Sequence, residues 1–169
     1  MRLPTALLLA ALALGCAETL PAPPATPTEP PPTATADTLV SLRRTACYGR
    51  CPVYTVSVDG AGAVRYVGER HVRVAGARTA TVDRAAVAAL VAAFAAAGHA
   101  AMPDSLTWGS DACEAFATDH PGAVTTLRAG GAEKAVVHNH GCAGFDGRDA
   151  LVALEDEVDR ALGTSRWVR

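Results

Sequence analysis

The chain has 169 residues, half of them hydrophobic, and a formal net charge of −2 at pH 7. This length fits one globular domain with flanking segments. The charge balance lacks the strong basic excess of a nucleic-acid-binding protein, so we expect no nucleic-acid partner.

Residues 1–15 predict a cleaved secretory signal peptide. Arg2 precedes an apolar run that extends from Leu3 to Leu14. That run is too short to span a bilayer as a helix, which needs roughly 20 residues. A short apolar run behind a basic residue is typical of a secretory signal, so we expect the mature protein to be exported.

The end of this segment, Ala13-Leu14-Gly15-Cys16, resembles the cleavage site of bacterial lipoproteins. The usual pattern has leucine where Ala13 stands, and an ordinary signal peptide with an incidental cysteine is the alternative. The resemblance implies that Cys16 becomes a lipidated N-terminus, and several acyl chains together anchor a protein stably in a membrane. Ala17, in place of aspartate, implies sorting to the outer membrane, with the domain facing the periplasm.

Residues 16–37 predict the lipidated cysteine and an extended linker. The stretch from 17 to 36 contains seven prolines and no apolar periodicity. Proline fixes φ and lacks a backbone N–H, so this stretch builds no core and stays extended. At about 3.1 Å per residue, it could hold a domain up to about 60 Å from the membrane.

The pattern of apolar residues predicts a single domain over residues 38–163, followed by a C-terminal tail over residues 164–169. Its strands alternate apolar and polar residues and pair as hairpins around the turns at 59–62 and 129–132. A further short strand is expected around Val72 and Val74.

Two amphipathic helices complete the predicted domain, and Asp146 is placed to cap the second. Apolar residues at helical spacing define them. They are Val87, Leu90, Val91 and Phe94 in the first helix and Leu151, Leu154, Val158 and Leu162 in the second. The predicted fold class is α+β, with an antiparallel sheet built from β-hairpins and two helices packed on one face.

A set of short motifs runs through this domain. They are CYGRCPVY at 47–54, Gly60, YVG at 66–68 and TDHP at 118–121. Together they resemble a bacterial family known as domain of unknown function 6438, over roughly residues 38–160. Members of that family are exported or lipid-anchored and have no established activity. The resemblance therefore implies domain boundaries and a location, and it supplies no catalytic residue.

Four cysteines follow Cys16, namely Cys47, Cys51, Cys113 and Cys142. An even number of cysteines in an oxidising compartment predicts disulfides. Three pairings are possible. We favour Cys47–Cys51 with Cys113–Cys142, because the second bond would tie down a long irregular loop. In the loop-entropy description the longer closure stabilises the fold by roughly 3–4 kcal/mol and the shorter by roughly 2 kcal/mol.

A copper or thiol-redox site is the alternative for Cys47 and Cys51, completed by His138 or His140. Cys-x-x-x-Cys-Pro with a distant histidine resembles the site of the SCO copper-delivery proteins, and thiolates suit Cu(I). In those proteins the cysteine pair opens a helix, whereas Pro52 here leads into a strand pattern. This favours a disulfide. The two histidines alone are more typical of solvated edge-strand residues, so we favour no metal site and no cofactor.

The sequence carries no recognisable catalytic motif, such as a nucleophile elbow, a P-loop or a zinc-protease helix. The acidic run at residues 155–157 fits the polar face of the last helix. We therefore expect a lipid-anchored envelope protein of unknown molecular function, with a non-catalytic binding or structural domain.

Charge is unevenly distributed along the domain. Residues 42–78 contain seven arginines and two acids, whereas residues 79–169 contain seven basic and twelve acidic side chains. Two halves that complement each other within one fold explain this most simply. The alternative is a basic face that binds an anionic envelope polymer or a protein partner. Its members would be Arg43, Arg44, Arg50, Arg65, Arg70, Arg73 and Arg78.

Overall fold

The computed structural model describes residues 34–169. The predicted signal peptide, Cys16 and most of the linker lie outside these residues.

Within residues 34–169, the structure contains no helix that is both long and apolar enough to cross a membrane.

A seven-stranded sheet forms one layer of the domain, in the order β4-β3-β2-β1-β7-β8-β5. Neighbouring strands are antiparallel except β5 and β8, which are parallel. A two-stranded sheet pairs β6 with β9. The strands are β1 Leu39–Arg44, β2 Val53–Asp59, β3 Ala63–Arg70, β4 Gly76–Thr81, β5 Ser105–Leu106, β6 Ala115–Phe116, β7 Gly122–Ala129, β8 Ala132–Asn139 and β9 Cys142–Ala143.

Both predicted hairpins are confirmed, as β2–β3 and β7–β8. The short strand expected around Val72 and Val74 is wrong, because the fourth strand begins later, at Gly76. The backbone N–H groups of Arg73 and Val74 donate to the carbonyls of Val168 and Trp167. This segment is therefore bonded to the C-terminal end of the chain rather than to a neighbouring strand.

Within the described residues three α-helices pack with the sheet, namely α1 Arg84–Ala96, α2 Arg148–Leu162 and α3 Ser165–Val168, and a 3₁₀-helix spans His99–Ala101. The α+β class is confirmed, with a third helix and one parallel strand pair in addition. The N-cap position of α2 is Gly147 with φ 84°, and no side chain caps that end. The cap expected from Asp146 is therefore wrong, because the left-handed turn at Gly147 separates it from the helix.

The core lies between one face of the large sheet and the helices. Every apolar residue used to predict α1 and α2 is buried, which confirms both periodicities. The strands contribute alternate residues to the same cluster, including Val40, Leu42, Val56, Val58 and Val136. The faces are therefore set by the alternation along each strand.

Residues 164–169, expected as a tail, are part of the packed domain. Trp167 is buried and its ring stacks on Tyr66 at 4.7 Å between centroids. Arg166 lies over the Trp167 ring at 4.5 Å. A single tryptophan after the last long helix gives no periodic signal, so its burial depends on the sheet surface that receives it.

His99 is buried beneath the sheet and shows how the core constrains an ionisable group. Its Nε2 lies 2.9 Å from the Thr125 hydroxyl, and Phe94 packs edge-on against its ring at 4.7 Å between centroids. Burial lowers the pKa of His99 to about 4, because the charged imidazole loses its hydration. The folded protein therefore holds His99 neutral.

We predict that the free energy of unfolding falls as the pH drops from about 6.5 towards 4, by up to about 3 kcal/mol from this group. His99 is protonated more readily in the unfolded chain, so its contribution is complete above pH 6.5 and is lost through the folded pKa. His99→Gln keeps a hydrogen-bonding side chain without titrating in this range. Urea unfolding of both proteins between pH 7 and 4 should show a shallower pH dependence for the variant, and equal slopes would contradict the prediction.

Candidate functional site

One row of residues across the helix-covered face of the sheet forms the floor of the site. Tyr54 on β2 lies opposite Arg44 on β1, Arg44 lies opposite Ala123 on β7, and Ala123 lies opposite His138 on β8. All four therefore lie on one face. Because Ala123 carries only a methyl group, the longer side chains on both sides can meet above it.

Helix α2 places a buried carboxylate over this row. Glu155 is fully buried and both of its oxygens accept hydrogen bonds. Oε1 accepts from His138 Nδ1 at 2.7 Å. Oε2 accepts from His140 Nε2 and from Arg44 Nη1, each at 2.7 Å. We call Glu155, His138, His140 and Arg44 the Glu155 cluster.

Arg44 connects this cluster to a second carboxylate one helical turn further along α2. Its Nη2 donates to Asp159 Oδ2 and to Asp156 Oδ1, each at 3.0 Å. The other Asp159 oxygen accepts from the Tyr54 hydroxyl at 2.6 Å and from the Thr164 hydroxyl at 2.8 Å. The guanidinium is thus held from three sides.

The electrostatics of the cluster favour an ionised Glu155. Burial acts to raise the pKa of Glu155, but the hydrogen bonds from His138 and His140, with the charges of His140 and Arg44, outweigh it and lower the pKa to about 2. Burial likewise acts to lower the pKa of Arg44, and the carboxylates of Asp159 and Glu155 raise it instead. Burial and the charge of Asp159 raise the pKa of Tyr54, so this phenol donates rather than ionises.

His138 has one nitrogen that the described residues leave without a partner. The side chain is 1% exposed, and its Nδ1 is occupied by Glu155. Its Nε2 is the single buried side-chain nitrogen or oxygen in residues 34–169 with no hydrogen bond. An unsatisfied buried polar group destabilises a fold by about 1–3 kcal/mol, which makes this nitrogen a candidate functional atom.

Two expectations about this region are wrong. Glu155 does not lie on the polar face of the last helix, since it follows Leu151 by four residues and precedes Val158 by three, and so shares their buried stripe. Helical spacing alone contains that signal. His138 is not a solvated edge-strand residue, because β8 lies between β7 and β5 and its inward face is covered.

The cysteines form the two bonds that the sequence favours, Cys47–Cys51 and Cys113–Cys142. The first closes the connection between β1 and β2. The copper alternative would need free thiolates at Cys47 and Cys51, whereas here both sulfurs are in a disulfide. A disulfide is also the oxidised form of a thiol-redox pair, so the redox alternative stays a prediction. The imidazole beside this segment is that of His71, which contacts the Cys51 carbonyl oxygen at 3.1 Å.

The arginines of residues 42–78 do not share one face. Arg44 turns inward to the acids of α2, which accounts for part of the charge asymmetry within the fold. Arg43 pairs with Glu69 at 3.2 Å. Arg65 lies on the outer side of β3 and Arg78 on the helix side of edge strand β4. Exposed side chains of this set are Arg43, Arg50, Arg65, Arg70, Arg73 and Arg78.

Three members of the cluster also have the chemistry of a metal-binding set. His138, His140 and Glu155 each offer a ligand atom, and these atoms lie within 4.8 Å of one another. The weak sequence candidates were the same two histidines, together with Cys47 and Cys51. In the structure the two histidines lie together and their third candidate ligand is Glu155. Cys47 and Cys51 lie in a disulfide outside this set.

The chain belongs to the family described as Domain of unknown function (DUF6438), whose model matches residues 38–162. The match extends from the start of β1 to the last residue of α2, and the whole Glu155 cluster falls within it. No curated protein matches the chain closely enough to indicate an activity.

We predict that Glu155→Gln lowers the free energy of unfolding by about 3 kcal/mol or more, because both imidazoles and Nη1 of Arg44 lose their charged acceptor inside the fold. Glu157→Gln is the matched control. Glu157 sits two residues away on the same helix and pairs with the exposed Arg160, so its removal should cost less than about 1 kcal/mol. Urea unfolding at pH 7 measures both, and equal losses would contradict a structural role for Glu155.

Proposed function

We propose that this chain is a lipid-anchored envelope protein, held at the outer membrane through Cys16, with a non-catalytic binding or structural domain facing the periplasm. The observation that carries the proposal is the apolar run from Leu3 to Leu14 that ends directly before Gly15-Cys16. Residues 17–36 serve as the spacer between the membrane and the domain.

The two disulfides support export from the reducing cytosol. All four cysteines of residues 34–169 are paired. Disulfides form and persist in the periplasm and outside the cell and are rare in cytosolic proteins. The bonds also stabilise the domain against unfolding.

The arrangement of the Glu155 cluster supports a role other than acid–base catalysis. The Glu155 carboxylate is inaccessible to solvent, and both its oxygens are occupied by His138, His140 and Arg44. A general base must reach a substrate proton within hydrogen-bonding distance. Glu155 instead joins α2 to the sheet.

Anchoring is tested with Cys16→Ser, which removes the thiol that would be acylated. We predict that the wild-type protein partitions into the detergent phase of a membrane extract and the variant into the aqueous phase. Cys47→Ser is the control for losing a cysteine elsewhere, and it should partition like the wild type. Equal solubility of Cys16→Ser and the wild type would reject the anchor.

The binding role is proposed for exposed arginines that lack an acidic partner within the described residues, Arg65 and Arg70 among them. Their ligand would be an anionic envelope polymer or a protein partner with an acidic surface, held by charge and weakened by salt.

We predict that Arg65→Gln with Arg70→Gln weakens sedimentation with isolated cell envelopes at low salt. The experiment uses the Cys16→Ser background, so that the lipid does not contribute. Arg43→Gln with Arg128→Gln is the matched control, since it removes the same charge from arginines paired with Glu69 and Glu133. An equal effect of the two pairs, or none from either, would reject the proposed surface.

A further inference from the structure

The Glu155 cluster presents the donors that a borderline transition metal prefers. His138 and His140 supply imidazole nitrogens and Glu155 supplies a carboxylate. Two histidines and one carboxylate form a known ligand set for Zn²⁺, with Zn–N and Zn–O distances of about 2.0–2.2 Å. Nitrogen ligands favour such ions over Mg²⁺ and Ca²⁺, which take oxygen.

The spacing of these donors is close to what one ion requires. Two nitrogens on a tetrahedral Zn²⁺ lie about 3.3 Å apart, given Zn–N bonds of about 2.0–2.1 Å. The ligand atoms of the three side chains lie within 4.8 Å of one another. Side-chain adjustments of up to about 1.5 Å therefore bring them to coordination distance.

The charge of the surroundings is complementary to a divalent cation. Glu155, Asp159 and Asp156 bring three carboxylates, and Arg44 is the one guanidinium that bonds to them among the described residues. The three carboxylates and the one guanidinium together leave two negative charges. Arg44 does not block the ion, because it contacts Oε2 of Glu155. Among the described residues Oε1 accepts only from His138 Nδ1, and an ion that displaces this proton binds between the two groups.

His138 and His140 differ in burial, and a metal site needs both a buried ligand and an accessible one. His138 is buried with an unpartnered nitrogen, so its hydrogen bond to Glu155 does not satisfy the whole ring. His140 is 24% exposed and lies beside it, with 4.7 Å between ring centroids. The cluster thus has one buried ligand and a second, partly exposed ligand past which an ion can enter.

We propose that His138, His140 and Glu155 bind one divalent transition-metal ion of the zinc class, with Arg44 orienting the carboxylate. This inference does not rest on the membrane anchor. It concerns the interior of the domain, and its test gives the same result whether or not Cys16 is lipidated.

The test uses the mature, oxidised protein in detergent, purified without a histidine tag and stripped of metal with a chelator. Calorimetric titration with Zn²⁺ should show one ion bound per chain at micromolar concentrations. Saturating Zn²⁺ should raise the melting temperature, because a ligand that binds only the folded state stabilises it. Mg²⁺ at the same concentration should do neither.

His140→Gln is the principal variant, because its side chain is partly exposed and the fold is expected to tolerate the change. It should weaken Zn²⁺ binding at least 10-fold. His120→Gln, which removes an exposed histidine outside the cluster, should bind as the wild type does. Near-ultraviolet circular dichroism of the metal-free proteins verifies that each variant is folded.

A measurement on the wild type keeps the test decisive if His140→Gln does not fold. One equivalent of Co²⁺, added to protein with ¹⁵N-labelled histidine, should displace or broaden the imidazole signals of His138 and His140 first and leave those of His71 and His120 in place. Failure of the wild type to bind Zn²⁺, full binding by folded His140→Gln, or broadening centred on another histidine would each overturn the proposal.

Discussion

The buried carboxylate of Glu155 is the constraint on which the arrangement of the domain depends. A carboxylate without solvent must be matched by donors, or its burial would cost several kcal/mol. The donors come from β1, from β8 and from the residue directly after β8, while the carboxylate comes from α2. These elements are far apart in sequence, so the cluster fixes how the last helix lies on the sheet.

The disulfides hold the two strand ends that supply these donors. Arg44 is the last residue of β1, and Cys47–Cys51 closes the loop that follows it. His140 lies two residues before Cys142, whose bond to Cys113 ties the end of β8 to the long loop. Both cross-links therefore restrict backbone movement beside a member of the Glu155 cluster. Such support is what a preorganised polar site requires.

Local periodicity explains why most elements could be predicted from the sequence. Residues alternate between apolar and polar in β2 and β3, and apolar residues recur at helical spacing in α1. Each pattern marks the face of the element that packs into the core, and the structure buries that face. The strand at Gly76–Thr81 and the packing of Trp167 could not be predicted, because each depends on a surface made by distant residues.

The Glu155 cluster could be predicted only in part, because it also depends on residues that are distant in the sequence. The spacing from Leu151 to Val158 places Glu155 on the buried stripe, yet the partners that make burial tolerable are Arg44, His138 and His140, which lie far from it in the sequence.

The most direct measurement of the hydrogen bonds to Glu155 is a long-range ¹H–¹⁵N spectrum of the imidazoles in metal-free protein at pH 7. The account predicts slowly exchanging protons on His138 Nδ1 and His140 Nε2, because an ionised carboxylate accepts from both. Rapidly exchanging imidazole protons at both positions, as for exposed histidines, would contradict it.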